Sequence, residues 1–474
     1  MRAHGSIGVI GRISRLAALA GIGTPLIILA GCGGSSTLAT GAHAIAPAAT
    51  VTTRPDPSRS PTTVIVGATP QGDPSQCSPT STVAPLPGTI TTLYATGTDG
   101  TITAVNASDG ATRWRYATDV NAMPNLISSG GTVYATNGAQ AAGSSTTLVA
   151  LGAADGAVKW QARLPGSPNY GAGLPIQAAS GVVYVPGADG ILRALDGATG
   201  TERWRYAIGG GIATVVVAGG AVYAQSYLAG GLVALRASDG ATLWRYATDA
   251  NIAMAPVAAN GLVYVAQSAT TLAALNAATG AAHWHVDLAA QYQAISLNSA
   301  VVAGTGLYVN AGRNIYALNA STGALCWATT PCGQEATSVP LLDGDTLYET
   351  CFGGAPGPGS PVDCGLFVVD AHTGAARWTT GLHGFVQVTP ASLVNGLLYV
   401  NATQAQALRP ESGAVAWRSP AQESQLGEVG LVVMAGVAYT SLEDGTVHAL
   451  GAADGSPRWS VSLGAADHRL VAAV

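Results

Sequence analysis

Ala194-Leu195-Asp196-Gly197-Ala198-Thr199-Gly200-Thr201-Glu202-Arg203-Trp204 is one instance of a pattern that the chain repeats nine times. All nine tryptophans close it: Trp114, Trp160, Trp204, Trp244, Trp284, Trp327, Trp378, Trp417 and Trp459, with spacings of 46, 44, 40, 40, 43, 51, 39 and 42 residues. A glycine stands four residues before each one, from Gly110 to Gly455, preceded by Asp, Thr or Ser. Ten residues before the tryptophan stands alanine, with Val368 the exception, and nine before it Leu or Val. A tyrosine in a short apolar run lies some twenty or more residues ahead, at Tyr94, Tyr134, Tyr184, Tyr223, Tyr264, Tyr308, Tyr348, Tyr399 and Tyr439.

Each unit reads as strand, turn, strand, turn, strand. Val182 to Val185 is one apolar run, Ile191 to Leu195 the next and Glu202 to Tyr206 the third. The Asp189-Gly190 and Thr199-Gly200 pairs supply the positive φ that tight hairpin turns need. A looser fourth run follows each tryptophan, such as Ala253 to Ala259. Four short strands every 40-odd residues predict an all-β fold, a single β-propeller of four-stranded blades. Nine units predict nine blades, or eight if the irregular first unit or the long Trp327–Trp378 unit is absorbed. After Trp459 the offset of the fourth run falls on His468 to Val474. This tail is expected to complete the first blade beside Tyr94, closing the ring and leaving no open sheet edge.

Each tryptophan is expected to pack between adjacent blades, where truncation to alanine would cost roughly 3–5 kcal/mol. The glycine frees a turn from steric penalty, and the alanine lets neighbouring sheets approach.

The pattern Ala-x-x-x-x-[Asp/Thr]-Gly-x-x-x-Trp resembles the tryptophan-docking motif of the PQQ-like, quinoprotein-type β-propellers over residues 89–474. Trp-Asp dipeptides are absent, which argues against a WD40 ring. The resemblance implies one of two roles. Some members are dehydrogenases that bind PQQ and calcium. Others are non-catalytic, among them the lipid-anchored propeller of the outer-membrane barrel-assembly machine. The repeat is common to both and does not choose between them.

Residues 1–31 read as a lipoprotein signal peptide. Arg2, Arg12 and Arg15 precede an apolar run from Leu16 to Leu29, which ends in Leu29-Ala30-Gly31-Cys32. This resembles a bacterial lipobox, with Cys32 the lipidated residue. Residues 32–88, rich in Gly, Ser, Thr, Ala and Pro, read as a flexible tether with a mean reach of about 40 Å. Together these place the chain on the cell membrane or outer membrane, anchored by lipid and facing outside the cytoplasm.

The chain has 474 residues, 48% hydrophobic and 9% charged, against about 25% charged in typical soluble domains. Its 62 glycines and 25 prolines fit a turn-rich fold. Twenty basic residues against 25 acidic give a net charge of −5, and loss of the three leader arginines takes it to −8. A nucleic-acid partner would call for a basic surface, so none is expected.

The dehydrogenase branch implies site residues that this sequence either carries or lacks. Its adjacent cysteine pair has no counterpart, and there is no Cys-x-x-Cys-His haem site. Calcium takes six to eight oxygen ligands. Asp109, Asp155, Asp239 and Asp454 fill one slot in the repeat turns. Asp119, Asp249, Glu335, Asp343, Asp345, Glu349 and Asp370 remain, with no spacing that assembles them. His283 and His285 share a strand face; arginines occupy the same slots in other units, so solvated flanks of an outer strand are the preferred reading over a metal site. No Gly-x-Ser-x-Gly elbow is present. Arg-Tyr-Ala-Thr-Asp follows both Trp114 and Trp244, with Asn121 and Asn251 close behind. This reads as duplication of units in preference to a polar ligand surface. No catalytic residue, metal or cofactor is therefore expected, with PQQ and calcium the alternative.

Cys326, Cys332, Cys351 and Cys364 cluster within 39 residues. Disulfides Cys351–Cys364 and Cys326–Cys332 are expected, in keeping with an oxidising compartment. Reduced thiols or shared zinc are the alternatives. Cys77 is left odd. The chain is thus expected to be a binding or scaffold module for protein or polymer partners at the cell envelope, the alternative being a PQQ-dependent dehydrogenase with an atypical site.

Overall fold

The computed structural model describes residues 72–79 and 91–473, apart from 119–124, 139–145, 166–175, 188, 227–229, 250–253, 289–295, 331–338, 351–364, 382–391, 402–403, 420–427, 443 and 465–468. The expected signal peptide, Cys32, Cys332, Cys351, Cys364, Asp119, Asn121, Asn251 and Glu335 lie outside the described residues.

Nine four-stranded antiparallel sheets follow one another along the chain. Numbered by their tryptophans, they are blades one to nine, so eight blades is ruled out. Blade three shows the plan: Gln177–Ala179, Val182–Pro186, Ile191–Asp196 and Glu202–Ala207 run from the axis outward. The first strands of most blades neighbour one another round the ring. In blade one that innermost place is filled by the C-terminal strand Arg469–Ala473, which pairs antiparallel with Thr92–Thr96. The tail thus joins the first and last strands of the ring in a single sheet.

A row of three side chains explains the repeat. In blade five Tyr264 lies across from Ala274, and Ala274 across from Trp284. A β-bulge follows the alanine, as it follows the same position in the other blades. The small side chain lets the two rings lean together over it, with centroids 6.0 Å apart. Their polar atoms then converge on the next blade, where both Tyr264 Oη and Trp284 Nε1 donate to the carbonyl of Ala320. All nine tryptophans make the equivalent bond, the last from Trp459 to Ala107 in blade one. Blade seven carries Val368 in place of alanine. There, among the described residues, Tyr348 and Trp378 form no ring pair, and an open cleft of about 500 Å³ lies beside them.

The hydrophobic core is accordingly divided among the blade interfaces. The cluster between blades four and five, for example, joins Tyr223 and Trp244 to Val263, Val265 and Leu275. The docking glycine closes each interface. Gly280 sits at φ +71°, and a Cβ there would lie 2.6 Å from the Trp244 ring, a distance no side chain can accept.

Two expectations need correction. Cys77 is not odd, and Cys326 does not pair with Cys332: Cys77 and Cys326 form a disulfide, with Cα atoms 6.2 Å apart, inside the usual range. The expected tether is therefore tied down in part. Pro74–Gln76 makes one 3-10 turn, capped by the Asp73 side chain. Asn319 Nδ2 and Thr305 Oγ1 of blade six donate to the Gln76 carbonyl. The Thr305 hydroxyl accepts from Ser78 N–H, and Thr305 N–H donates to the Ser78 carbonyl. His372 of blade seven meets the Cys77 carbonyl through Nδ1 at 3.1 Å. The physical reason is that Cys326 stands on the outermost strand of blade six, where the N-terminal segment is laid against it. Nearness in sequence was a poor guide to its partner.

Candidate functional site

The two faces of the ring differ. Turns between first and second strands take two residues in every blade where that pair is consecutive, such as 180–181 and 260–261. Turns between third and outermost strands are held by Asx side chains, with Ser412 in that place in blade eight: Ala241 N–H bonds Asp239 at 3.0 Å and Ser456 N–H bonds Asp454 at 3.0 Å. The repeat-turn carboxylates therefore belong to the scaffold. Arg203 and the Thr199 hydrogen bonds hold Asp196 down to about 2. Connections between blades leave the opposite face and run from four residues (208–211) to twelve (165–176). Length and sequence are free to vary there without touching the ladder, as on the loop faces where rigid scaffolds carry binding residues.

The remaining acids among the described residues fall in separate places. Asp343, Asp345 and Asp370 lie on the short-turn face of blade seven, where Arg377 pairs with Asp345 at 2.9 Å and Asp370 at 2.7 Å. Arg377 holds the Asp345 carboxyl below its ordinary range. Glu349 is fully buried, and Asn310 Nδ2 donates to it at 2.9 Å. Asp249 lies on the long-connection face. Among the described residues no three of His, Cys, Asp and Glu are grouped to hold a metal ion. The described acids among those singled out from sequence are not brought together as the oxygen set that calcium takes.

Sequence reasoning passed over a belt of buried polar residues. Two positions after the repeat tyrosine stand the buried Thr96, Thr136, Gln225, Asn310, Thr350 and Ser441, with Pro186 and Ala266 the exceptions among the described side chains. Several pair across strands with polar residues of the innermost strand: Thr96 with Arg469, Thr136 with Asn125, Gln225 with Thr214 and Asn310 with Ser299. This period-2 polarity beside the tyrosine was the available signal. The belt lies at the long-connection end of the strands. Among the described residues, the Thr96, Thr136 and Thr214 hydroxyls and both ends of the fully buried Gln225 amide have no hydrogen-bond partner. Buried polar groups are ordinarily satisfied by protein or ordered water.

On the same face a cleft of about 410 Å³ opens between blades four and five. Tyr246 and Asp249 form one wall; Gln267, Ser268, His285 and Asp287 form the other. The Tyr246 hydroxyl donates to Gln267 Oε1 at 3.1 Å, and the Asp249 N–H to the Gln267 carbonyl at 2.8 Å. Burial pushes the Tyr246 hydroxyl up. The two histidines singled out from sequence are both exposed on the outermost strand, and His285 lines this cleft.

A closed ring of nine four-stranded blades, each docked on the next by one tryptophan and one glycine, defines a PQQ-like repeat propeller. The family model described as outer membrane protein assembly factor BamB matches residues 76–231, 188–348, 297–379 and 363–473, and the chain belongs to that family. The serine/threonine-protein kinase AfsK of Streptomyces griseus is 30% identical over 174 residues, which are 34% of this chain and 20% of AfsK. The chain thus spans about a fifth of that relative's length. BamB from Moraxella catarrhalis is 19% identical, with 68% of this chain and 91% of that one covered at a TM-score of 0.48. The computationally designed Ika8 protein is 14% identical, with 70% and 93% covered at 0.50, a likeness of fold.

Proposed function

We propose that this chain is a lipid-anchored propeller outside the cytoplasm that binds protein partners at the cell envelope through its long-connection face and performs no chemistry of its own. The observation that carries the reading is the division between the faces. The strand ends from which the interblade connections start, the buried polar belt and the cleft between blades four and five lie on one face, and the docked segment 72–78 meets turns of the other. Membership in a family described by an outer-membrane assembly factor supports a scaffold. The scattered acids weigh against a dehydrogenase. Anchorage through Cys32 follows from the resemblance of its surroundings to a lipobox.

The test uses the full chain in its native envelope, with a photocrosslinker placed in turn at Ser268 on the long-connection face and Asn260 on the short-turn face. Adducts with a defined protein from position 268 and not from 260 are expected. Adducts from 260 alone, or turnover of an alcohol or sugar after addition of PQQ and calcium, would overturn the reading. Incorporation of radiolabelled palmitate, lost in Cys32→Ser, tests the anchor.

A further inference from the structure

The cleft between blades four and five breaks a rule that two other interfaces keep. In blades one and three the residue two after the tryptophan is a tyrosine, and the residue one after the tryptophan of the next blade closes over it. Gln161 Nε2 donates to the Tyr116 hydroxyl at 2.8 Å. Arg245 donates to the Tyr206 hydroxyl, and its guanidinium carbon lies 5.5 Å from the Tyr206 ring centre. Blade four supplies the same tyrosine, Tyr246, and blade five supplies His285 at the closing position. The Tyr246 hydroxyl instead bonds Gln267, and among the described residues the space that Arg245 fills one interface earlier stands open between Tyr246 and His285.

The walls of that space also differ in charge. Asp249 occupies the position held by Gly209 one blade earlier, and Asp287 that held by Ala247. Thr270 donates to the Asp287 carboxylate at 3.1 Å, fixing it, and Asp249 is exposed. The turn in that wall is held by backbone hydrogen bonds: Gln267 N–H bonds the Thr271 carbonyl at 2.8 Å, and the Leu288 and Leu297 amides bond the carbonyls of Thr270 and Ala269. A preformed cleft with an aromatic wall and two carboxylates suits a planar cation, which stacks on the ring and accepts a carboxylate at its edge.

We propose that the blade four–blade five cleft takes the arginine side chain of a partner polypeptide, in the place that Arg245 occupies in the preceding interface. The proposal rests on the binding-module reading and names the chemistry its partner must present. It is tested on the full chain with N-acetyl-arginine methylamide and its neutral isostere, N-acetyl-citrulline methylamide, by titration calorimetry. Arginine is expected to bind at least about tenfold tighter than citrulline, and Asp249→Asn with Asp287→Asn to remove that preference. His285→Arg would put the protein's own guanidinium into the cleft and block binding with the melting temperature unchanged. Equal binding of the two probes, no saturable binding of arginine, or an unaltered preference in the double variant would overturn the assignment. If Ser268 still cross-links a partner in that event, the cleft assignment falls and the binding-module reading stands.

Discussion

Tyr264 and Trp284 donate to one acceptor, the carbonyl oxygen of Ala320 in the next blade, at 3.1 and 3.0 Å. They can do so because Ala274, between them in the sheet, has no more than a methyl group. Ala274→Val should push the rings apart, as they stand apart around Val368. The cost is expected at roughly 1–3 kcal/mol, read as a lower midpoint in urea unfolding. An unchanged midpoint would mean the rings meet for another reason.

Two glycines separate backbone strain from crowding. Gly261 and Gly280 have φ values of +75° and +71°, yet a Cβ on Gly261 meets nothing within 4 Å whereas one on Gly280 strikes the Trp244 ring. Gly261→Ala should cost about 1 kcal/mol for the left-handed backbone alone. Gly280→Ala should cost roughly 2–4 kcal/mol, with overpacking added. Equal losses by chemical denaturation would remove the docking role of Gly280.

The Cys77–Cys326 disulfide closes a separation of 249 residues. Cys77→Ser is expected to lower stability by roughly 2–5 kcal/mol. Trp327 is fully buried and shares its cluster with both cysteines. Release of residues 72–78 should therefore shift tryptophan emission to the red, and a dithiol reductant acting on the wild-type chain should reproduce the shift. A variant with wild-type stability and emission would show that the segment stays docked without its bond.

Alkaline pH should loosen the ring. Burial pushes the Tyr264 and Tyr348 hydroxyls up to about 12 and raises those of Tyr94, Tyr184, Tyr223 and Tyr399, against about 10 in the unfolded chain. Between these values the unfolded chain gives up protons that the folded chain keeps, so stability falls as pH rises. It is complete below pH ~10 and lost progressively toward pH ~12. Melting temperatures that stay level across this window would contradict the buried hydroxyl bonds.

Addition of PQQ and calcium to residues 33–474 is expected to leave tryptophan fluorescence unchanged. Saturable quenching, abolished by replacing one of the scattered acids, would restore the dehydrogenase reading.

Much of this molecule is written in short range. The strands, the tight turns, the tyrosine–alanine–tryptophan row and the closing tail were legible because each obeys a local rule, a period of two or a glycine-bearing turn, and because each blade needs only its neighbours. The ring decided the rest. Eight and nine blades differ by whether the irregular first unit and the long Trp327–Trp378 unit each fold as a blade, and their complete sheets settled the number. Cys326 found its partner on a segment far away in sequence, and Asp249 and Asp345 fell on opposite faces. The polar belt and the cleft beneath Tyr246 depend on which side chains two neighbouring blades bring face to face. Such encounters turn on the path of the whole chain, which no local spacing records.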